Sequence, residues 1–287
     1  MGRVATALIA AGLLATATAC GERAEPKDAT ARLYPVTVTS AADRPLIVRR
    51  AARRIAVLAT GPLEILRSLG ASRRVTGMPV DPSGAIEIAK LKRMRPDLIV
   101  ADAEANEVQL SRAEQTTGAP VYLAPGDSIR DVEQAITALG LVADRPVAAR
   151  QLVHAIEVKR AIVTTRLTHV RPVSVFFDTG LFITVSDQSL VGDLIREAHG
   201  RNVAGASPGS EPFDLAQLVM LNPRVYLTSS DSGTTLRDLR RNPETRKLTA
   251  VRKKRFALVD ASLLEPGPRI GEGLVAMARL LHPDAFR

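Results

Sequence analysis

The stretch EIAKLKRMRPDLIVA, residues 87–101, begins with the spacing of an amphipathic helix and ends with a run of apolar residues that is typical of a buried strand. Pro96 cannot continue a helix and biases the residue before it away from helical angles, so DLIVA is predicted as the next strand. The stretch DLAQLVMLNPRVYL, residues 214–227, has the same arrangement around Pro223. One helix-to-strand corner in each half of the chain predicts two related lobes.

Strand and helix patterns alternate on both sides of these corners. VTGMP at 75–79 is predicted as a short strand, and DPSGAIEI at 81–88 as the opening of the next helix. Such alternation predicts parallel sheets with right-handed crossovers. Residues 34–50 instead alternate apolar and polar positions on either side of a turn, which predicts a β-hairpin.

A long helical segment separates the two alternating regions. It lies between two prolines and would span about 35 Å, which is the length of a domain. The fold class that fits is α/β, with two Rossmann-like lobes, each with a parallel sheet, joined by one long rigid helix, and a ligand cleft between the lobes. The predicted divisions are an N-terminal lobe at 34–145, a connecting helix at 146–170 and a C-terminal lobe at 171–287.

The composition restricts the classes of function. The chain has 287 residues, of which 46% are hydrophobic, which is enough for packed cores. Aromatic residues make up only 3%, so any pocket must be lined mainly by aliphatic and polar side chains. The net charge of +9 creates a positive field that could favour nucleic acid, anionic lipid or an acidic small ligand. A single cysteine excludes an internal disulfide.

The first 20 residues, MGRVATALIAAGLLATATAC, have the layout of a secretory signal, and their apolar centre is short for a membrane span. Cys20 lies where processing is expected, which predicts a lipoprotein signal at 1–20. A diacylated Cys20 would anchor the protein at the extracytoplasmic face of the cell membrane. The alternative is a plain secretory signal with a chance cysteine. Polar residues 21–33 are predicted to form a flexible tether, and export disfavours nucleic acid as a partner.

From Tyr34 to Arg287 the chain resembles the substrate-binding lipoproteins of ABC importers for cobalamin, haem and ferric siderophores. The order and spacing of several stretches carry the likeness: RIAVLATGPLEILRSLGASRRVTGM, LKRMRPDLIVA, SLVGDLIREAHGRNVAG, LNPRVYL and PGPRIGEGLVAMARLLHP. The resemblance implies that a small-molecule metal chelate binds between the lobes and is delivered to an ABC permease in the membrane. It implies no catalytic residues and no metal or cofactor of the protein's own, although the ligand can carry iron or cobalt. We expect a monomer.

The carboxyl ends of parallel strands, with the adjoining helix N-termini, face such a cleft and offer unpaired amide groups. Any one of these residues could be explained as part of an ordinary loop. Taken together, they predict a ligand site. The candidates for the ligand cleft are Thr60, Gly61, Met78, Asp81, Ser83, Asp102, Glu104, Asp178, Thr179, Ser229, Ser230, Asp231 and Glu265.

The docking region departs from the pattern of the family. The resemblance implies a glutamate near the start of the matched helix in each lobe, which docks into arginine pockets of the permease. Those positions hold Ala89 and Ala216. Glu87 and Asp214 lie two residues earlier, about 200° around a helix, where acidic residues favour a helix start. Two alternatives follow: the permease docks differently, for example through these acids, or the protein binds its ligand without standard transport.

The residue types in the chain restrict the range of possible ligands. Haem-binding relatives usually offer a Tyr or His in the cleft, and the stretch GMPVDPSGAIEI has neither, so haem is disfavoured. Cobalamin pockets tend to be aromatic, and this chain has few aromatic residues. A ferric chelate with net negative charge would suit the net positive charge of the chain. Arg130, Arg171 or Arg269 could contribute to binding it. An exported α/β hydrolase is the enzyme alternative, but the chain has no G-x-S-x-G elbow and no P-loop. A cell-surface binding or sensing lipoprotein without a transporter is the third possibility.

Overall fold

The structure is a computed structural model that describes residues 34–41 and 44–287. The predicted signal at 1–20 with Cys20, the tether at 21–33 and the two turn residues of the hairpin lie outside the described residues. Within the described part of the chain, no helix combines the length and the apolar character needed to cross a membrane.

The N-terminal lobe starts with the predicted hairpin. Its strands, β1 (Val36–Thr39) and β2 (Pro45–Val48), pair antiparallel. The elements that follow are β3 (Ile55–Val57), α1 (Thr60–Ser68), β4 (Val75–Gly77), α2 (Ile88–Met94), β5 (Leu98–Asp102), α3 (Glu107–Thr117), β6 (Val121–Ala124) and α4 (Ile129–Val142). The strands β3 to β6 form a parallel sheet in the order β4-β3-β5-β6.

The C-terminal lobe follows a helix of 22 residues, α5 (Pro146–Leu167). Its elements are β7 (Val173–Asp178), α6 (Leu190–Glu197), β8 (Gly200–Asn202), α7 (Leu215–Leu221), β9 (Val225–Ser229), α8 (Leu236–Arg241), α9 (Thr249–Arg252), β10 (Phe256–Val259) and α10 (Ile270–Leu281). The parallel sheet has the order β10-β9-β7-β8. The predicted fold class, two α/β lobes with parallel sheets and a long helix between them, is confirmed.

The two lobes repeat one topology. In chain order, each sheet places its first strand between its second and its third, with its fourth at the edge. The corners that predicted related lobes are also matched, because α2 and α7 both have seven residues. Both helices end at a left-handed residue, Arg95 or Asn222, that precedes a proline and then the strand β5 or β9.

Two details differ from the sequence prediction. Strand β8 was not predicted, because its three residues, Gly-Arg-Asn, have no strand propensity and are held by pairing with β7. Helix α2 begins only at Ile88, the last residue of the DPSGAIEI stretch, and the residues before it are not helical. The carboxylate of Asp81 accepts hydrogen bonds from the amides of Ser83 and Ala85, and this holds the segment in a turn.

Helix α5 joins the lobes through packing on both sides. It contacts α4 of the N-terminal lobe and α10 of the C-terminal lobe. Its buried residues, Ala149, Ile156, Val163 and Leu167, recur at spacings that place them along one stripe. One core of buried apolar residues runs from the first hairpin through α4, α5 and α10 to the end of the chain. The lobes therefore share one core and are not independent domains joined by a linker.

Two polar contacts also connect the lobes beside α5. The guanidinium of Arg160 on α5 lies 3.6 Å from the Glu133 carboxylate on α4 and 3.3 Å from the Glu197 carboxylate on α6. Asp193 on α6 is buried, and its carboxylate accepts a hydrogen bond of 2.9 Å from the amide of Ile129 in the first turn of α4. Since the first amides of a helix have no partner within it, Asp193 of one lobe caps a helix of the other.

We expect Asp193→Ala to destabilise the protein by about 1 to 3 kcal/mol, because the buried amide of Ile129 loses its acceptor. Asp284→Ala is the matched control, since both aspartates pair with an arginine three residues later but Asp284 is exposed. That surface pair is worth about 1 kcal/mol or less. Urea denaturation measures both free energies of unfolding. Equal losses in the two variants would contradict a structural role for the contact between the lobes.

Candidate functional site

A cavity of about 480 Å³ lies between the two lobes, within the size range of small-molecule sites. On the N-terminal side it is bounded by segments that follow β3, β5 and β6. On the C-terminal side it is bounded by the first turn of α6 and by the segment between β10 and α10. It therefore lies at the carboxyl ends of parallel strands, where ligands of α/β proteins bind.

Five of the candidate residues line this cavity. Thr60 and Gly61 begin α1 directly after β3, Asp102 ends β5 and Glu104 follows it, and Glu265 lies in the loop before α10. The structure thus brings together candidates from both lobes, as the prediction from strand ends required.

Pro266 reaches across the cavity to the N-terminal lobe. A Cβ at Gly61 would lie 2.6 Å from the carbonyl oxygen of Pro266, and a Cβ at Gly126 would lie 3.0 Å from the Cβ of Pro266. Real Cβ atoms essentially never come as close as the first distance and seldom as close as the second, so the two glycines make room for the proline. The two lobes are therefore in close contact at Pro266.

The ionisable residues that line the cavity are all acidic. Asp102, Glu104 and Asp127 come from the N-terminal lobe and Glu265 from the C-terminal lobe, and no Lys, Arg or His is found among the described residues of the lining. Burial raises the pKa of Glu265, and the negative charges of Glu64, Asp231 and Asp102 raise it further. The cleft is an acidic site in a basic protein.

The expected arginines do not contribute to this site. Arg130 lies in a separate surface groove with Glu133. Arg171 is exposed at the amino end of β7, opposite to the cleft, and Arg269 pairs with Glu272 at 3.1 Å. None of these three arginines lines the cavity, so the expectation that they contribute to the site is not met. The net charge averages over the whole surface and says nothing about one cleft.

Three candidates that follow β4 lie outside the cavity lining. Met78 and Ser83 are exposed, and Asp81 holds the turn described above. β4 is at the edge of its sheet, which places the loop after it away from the central cleft.

The candidates that follow β7 and β9 also lie outside the lining. Asp178 is buried and accepts hydrogen bonds from the hydroxyls of Tyr226 and Thr234, both at 2.8 Å, so it serves the core of the lobe. Thr179 donates a hydrogen bond to the carbonyl of Ile183. The remaining three are Ser229, which is buried, Ser230, which accepts a hydrogen bond from the amide of Ala261, and Asp231, which is exposed.

The docking candidates are surface residues at two matched helix starts. Glu87 precedes α2 and pairs with Lys90 at 2.7 Å. Asp214 precedes α7 and accepts a hydrogen bond of 2.9 Å from the amide of Gln217. Ala89 and Ala216 are exposed. Each lobe therefore presents one carboxylate and one alanine at equivalent places.

Several lining residues were not among the candidates. Gly126 and Asp127 follow β6, and the rule that selected residues after β3 and β5 would have found them, since VYLA was predicted as a strand. Pro266 and the first turn of α6 give no local signal, because they reach the cleft only through the docking of the two lobes.

Residues 71–263 match the profile of the periplasmic binding protein family. The chain belongs to this family. Its members are substrate-binding proteins and not enzymes, so the hydrolase alternative is set aside, and the resemblance stated from the sequence is confirmed. The chain is a solute-binding protein with its cavity between two lobes.

Relatives support this assignment over nearly the whole chain. An uncharacterised ABC transporter substrate-binding lipoprotein of Bacillus subtilis, YvrC, is 23% identical over 99% of this chain and 97% of its own. The solved structure of Helicobacter pylori CeuE in a nickel–histidine complex has a TM-score of 0.74 at 17% identity, covering 88% of this chain and 89% of that chain. The vitamin B12-binding protein BtuF of Vibrio cholerae has a TM-score of 0.67 at 18% identity, covering 82% and 98%.

We expect Gly61→Ala to destabilise the protein by about 1 to 3 kcal/mol, because a methyl group there overlaps the backbone of Pro266. This loss would occur although alanine favours a helix by up to about 1 kcal/mol over glycine. In the control, Gly267→Ala, the nearest atom to a new Cβ is 3.5 Å away, which is ordinary contact. Urea denaturation of both variants, with a crystal structure of the first, would show whether the lobes separate. A stabilised Gly61→Ala protein would contradict the contact.

Proposed function

We propose that the protein is an extracytoplasmic lipoprotein, anchored through Cys20, which captures a small metal chelate between its lobes and delivers it to an ABC permease. The observation that carries the proposal is the cavity of about 480 Å³ at the carboxyl ends of the strands, which is lined by residues of both lobes. Membership of the periplasmic binding protein family and the lipoprotein name of the B. subtilis relative support it. We also propose that the protein is a monomer. Because it is exported, nucleic acid is not among its proposed partners.

The proposed ligand is an iron–siderophore-like or cobalamin-like molecule. Structural relatives are described as binding nickel, haem and vitamin B12, so metal-containing ligands are common among proteins of this shape. No Tyr, His or other aromatic residue lines the cavity in the part of the chain that the structure describes. This lining disfavours haem, which needs an axial ligand or an aromatic face.

The proposed docking surface is formed by the starts of α2 and α7. Glu87 and Asp214 are exposed carboxylates at equivalent positions of the two lobes, and a permease with basic pockets can bind one on each side. The second candidate function is a surface binding or sensing lipoprotein without a transporter. It is favoured by Ala89 and Ala216, which are exposed where the resemblance implies docking glutamates.

We expect ferric hydroxamate chelates or cobalamin to stabilise the full chain in detergent by about 2.7 kcal/mol at a hundredfold excess over the dissociation constant. Ala103→Trp places a large side chain in the cavity and should abolish this effect. The control, Val108→Trp, changes a residue of α3 that is 78% exposed outside the cavity and should leave the effect unchanged. Thermal denaturation with each ligand measures it. Stabilisation that persists in Ala103→Trp would place the ligand elsewhere.

We expect the double variant Glu87→Gln, Asp214→Asn to lose most chelate uptake in cells while keeping its ligand affinity. Asparagine still caps a helix, so α7 is preserved and only the charges are removed. Uptake of a radioactive iron chelate and calorimetry on the purified protein separate the two effects. A double variant that transports normally would favour docking at another surface, and a parent protein that supports no uptake would favour the sensing role.

A further inference from the structure

The acidic residues of the cleft lack partners within the part of the chain that the structure describes. None of the four lining carboxylates forms an ion pair or accepts a side-chain hydrogen bond among the described residues, and the same holds for Glu64 and Asp231. Many acidic residues elsewhere are paired, for example Glu133 and Glu197 with Arg160. In a chain with a net charge of +9, cationic side chains are abundant, yet none in the described part of the chain forms an ion pair with these six carboxylates.

Carboxylates from both lobes lie close enough to Glu265 to act on its charge. Glu64 and Asp102 belong to the N-terminal lobe, whereas Asp231 and Glu265 belong to the C-terminal lobe. All three of the others oppose ionisation of Glu265 through their negative charge. Like charges that lie close together repel, so these carboxylates destabilise the empty cleft until something positive lies between them.

Helix N-termini at the cleft do not cancel this charge. Helices α1 and α6 begin at the cavity, and each start is equivalent to about half a positive charge. The start of α4 is already neutralised by Asp193. Two half charges leave most of the charge of four lining carboxylates uncompensated.

We propose that the cleft selects a ligand with net positive charge carried on N–H groups, such as a protonated amine, and this rests on the function proposed above. Carboxylates accept hydrogen bonds from ammonium or guanidinium groups. A quaternary ammonium ion is less suitable, because its recognition depends on aromatic faces and the described lining has none. A bare metal ion is also less suitable, since no group of three or more potential ligands is found among the described residues.

Two sources supply this chemistry: the pendant ammonium group of a metal chelate, or a free polyamine. Calorimetry on the full chain would compare a ferric trihydroxamate with a free amine, its neutral N-acetylated form, a ferric tris-catecholate with negative charge, and spermidine. We expect the amine form to bind at least about tenfold more tightly than the acetylated form, since charge-assisted hydrogen bonds are the stronger kind. The difference should shrink as salt is added, because salt screens exposed charges.

Variants of the lining test the residues. Asp102→Asn and Glu265→Gln keep the side-chain shape, and each should reduce the preference for the amine form by roughly tenfold. Glu114→Gln, an exposed acid of α3 outside the cavity, is the control and should leave the preference unchanged. Chelates that bind with no change in these variants would show that the cleft acids do not choose the ligand.

The unliganded protein gives an independent readout. The pKa of Glu265 is raised by burial and by the charges of Glu64, Asp231 and Asp102, so the folded protein binds a proton more readily than the unfolded chain does. This residue therefore costs stability as the pH rises through its raised pKa. Glu265→Gln removes the cost and should raise the thermal unfolding midpoint of the empty protein at neutral pH, by a small amount since water screens the exposed part of the side chain. A destabilised variant would contradict the repulsion.

Each pattern of binding has one meaning. Tighter binding of the amine chelate supports both proposals. Spermidine binding without chelate binding supports the cationic ligand and overturns the metal chelate. Equal or tighter binding of the catecholate chelate overturns the cationic ligand while the chelate-binding function stands. If none of the four probes binds, both proposals fail.

Discussion

The close packing of helix α5 between α4 and α10 is the constraint on which the rest of the structure depends. Glycine lies at both crossings: a Cβ at Gly140 would lie 2.3 Å from the Cβ of Ala149, and one at Gly271 would lie 3.3 Å from the Cα of Ile156. Such close approach lets three helices from the two lobes share one apolar core. The direction of each sheet relative to the other, and hence the place where their strand ends meet, follows from this packing.

Much of the architecture could be predicted because it depends on local chemistry. Pro96 and Pro223 must end their helices wherever the chain goes, and buried strands such as β5 and β9 are apolar runs that no surface segment would carry. The three residues of β8 could not be predicted, because only pairing with β7 makes them a strand. Choosing residues at the carboxyl ends of the strands located Thr60 and Asp102 at the cleft. Pro266 comes from the opposing lobe and has no local signal in the sequence.

The charge of the site was the larger error, and its cause is physical. A net charge describes the field far from the protein, where all contributions add. Within a cleft, the nearest side chains dominate, and these are carboxylates that follow β5 and β6 and precede α10. Arg160 shows where basic residues are used instead, since it lies between two glutamates at the junction of α4, α5 and α6.

The two ends of the cleft limit how the lobes can respond to that charge. Asp193 ties α6 to the start of α4 behind the cavity, and Pro266 meets Gly61 and Gly126 at its front. A loosely linked pair of lobes would swing open and let the carboxylates move apart into water. Lobes held by a shared core and by contacts at both ends have little freedom to do so, and the repulsion remains in the empty protein. A cation that enters the cleft then relieves a strain that the fold itself maintains, so that rigidity and ligand selectivity have a common origin.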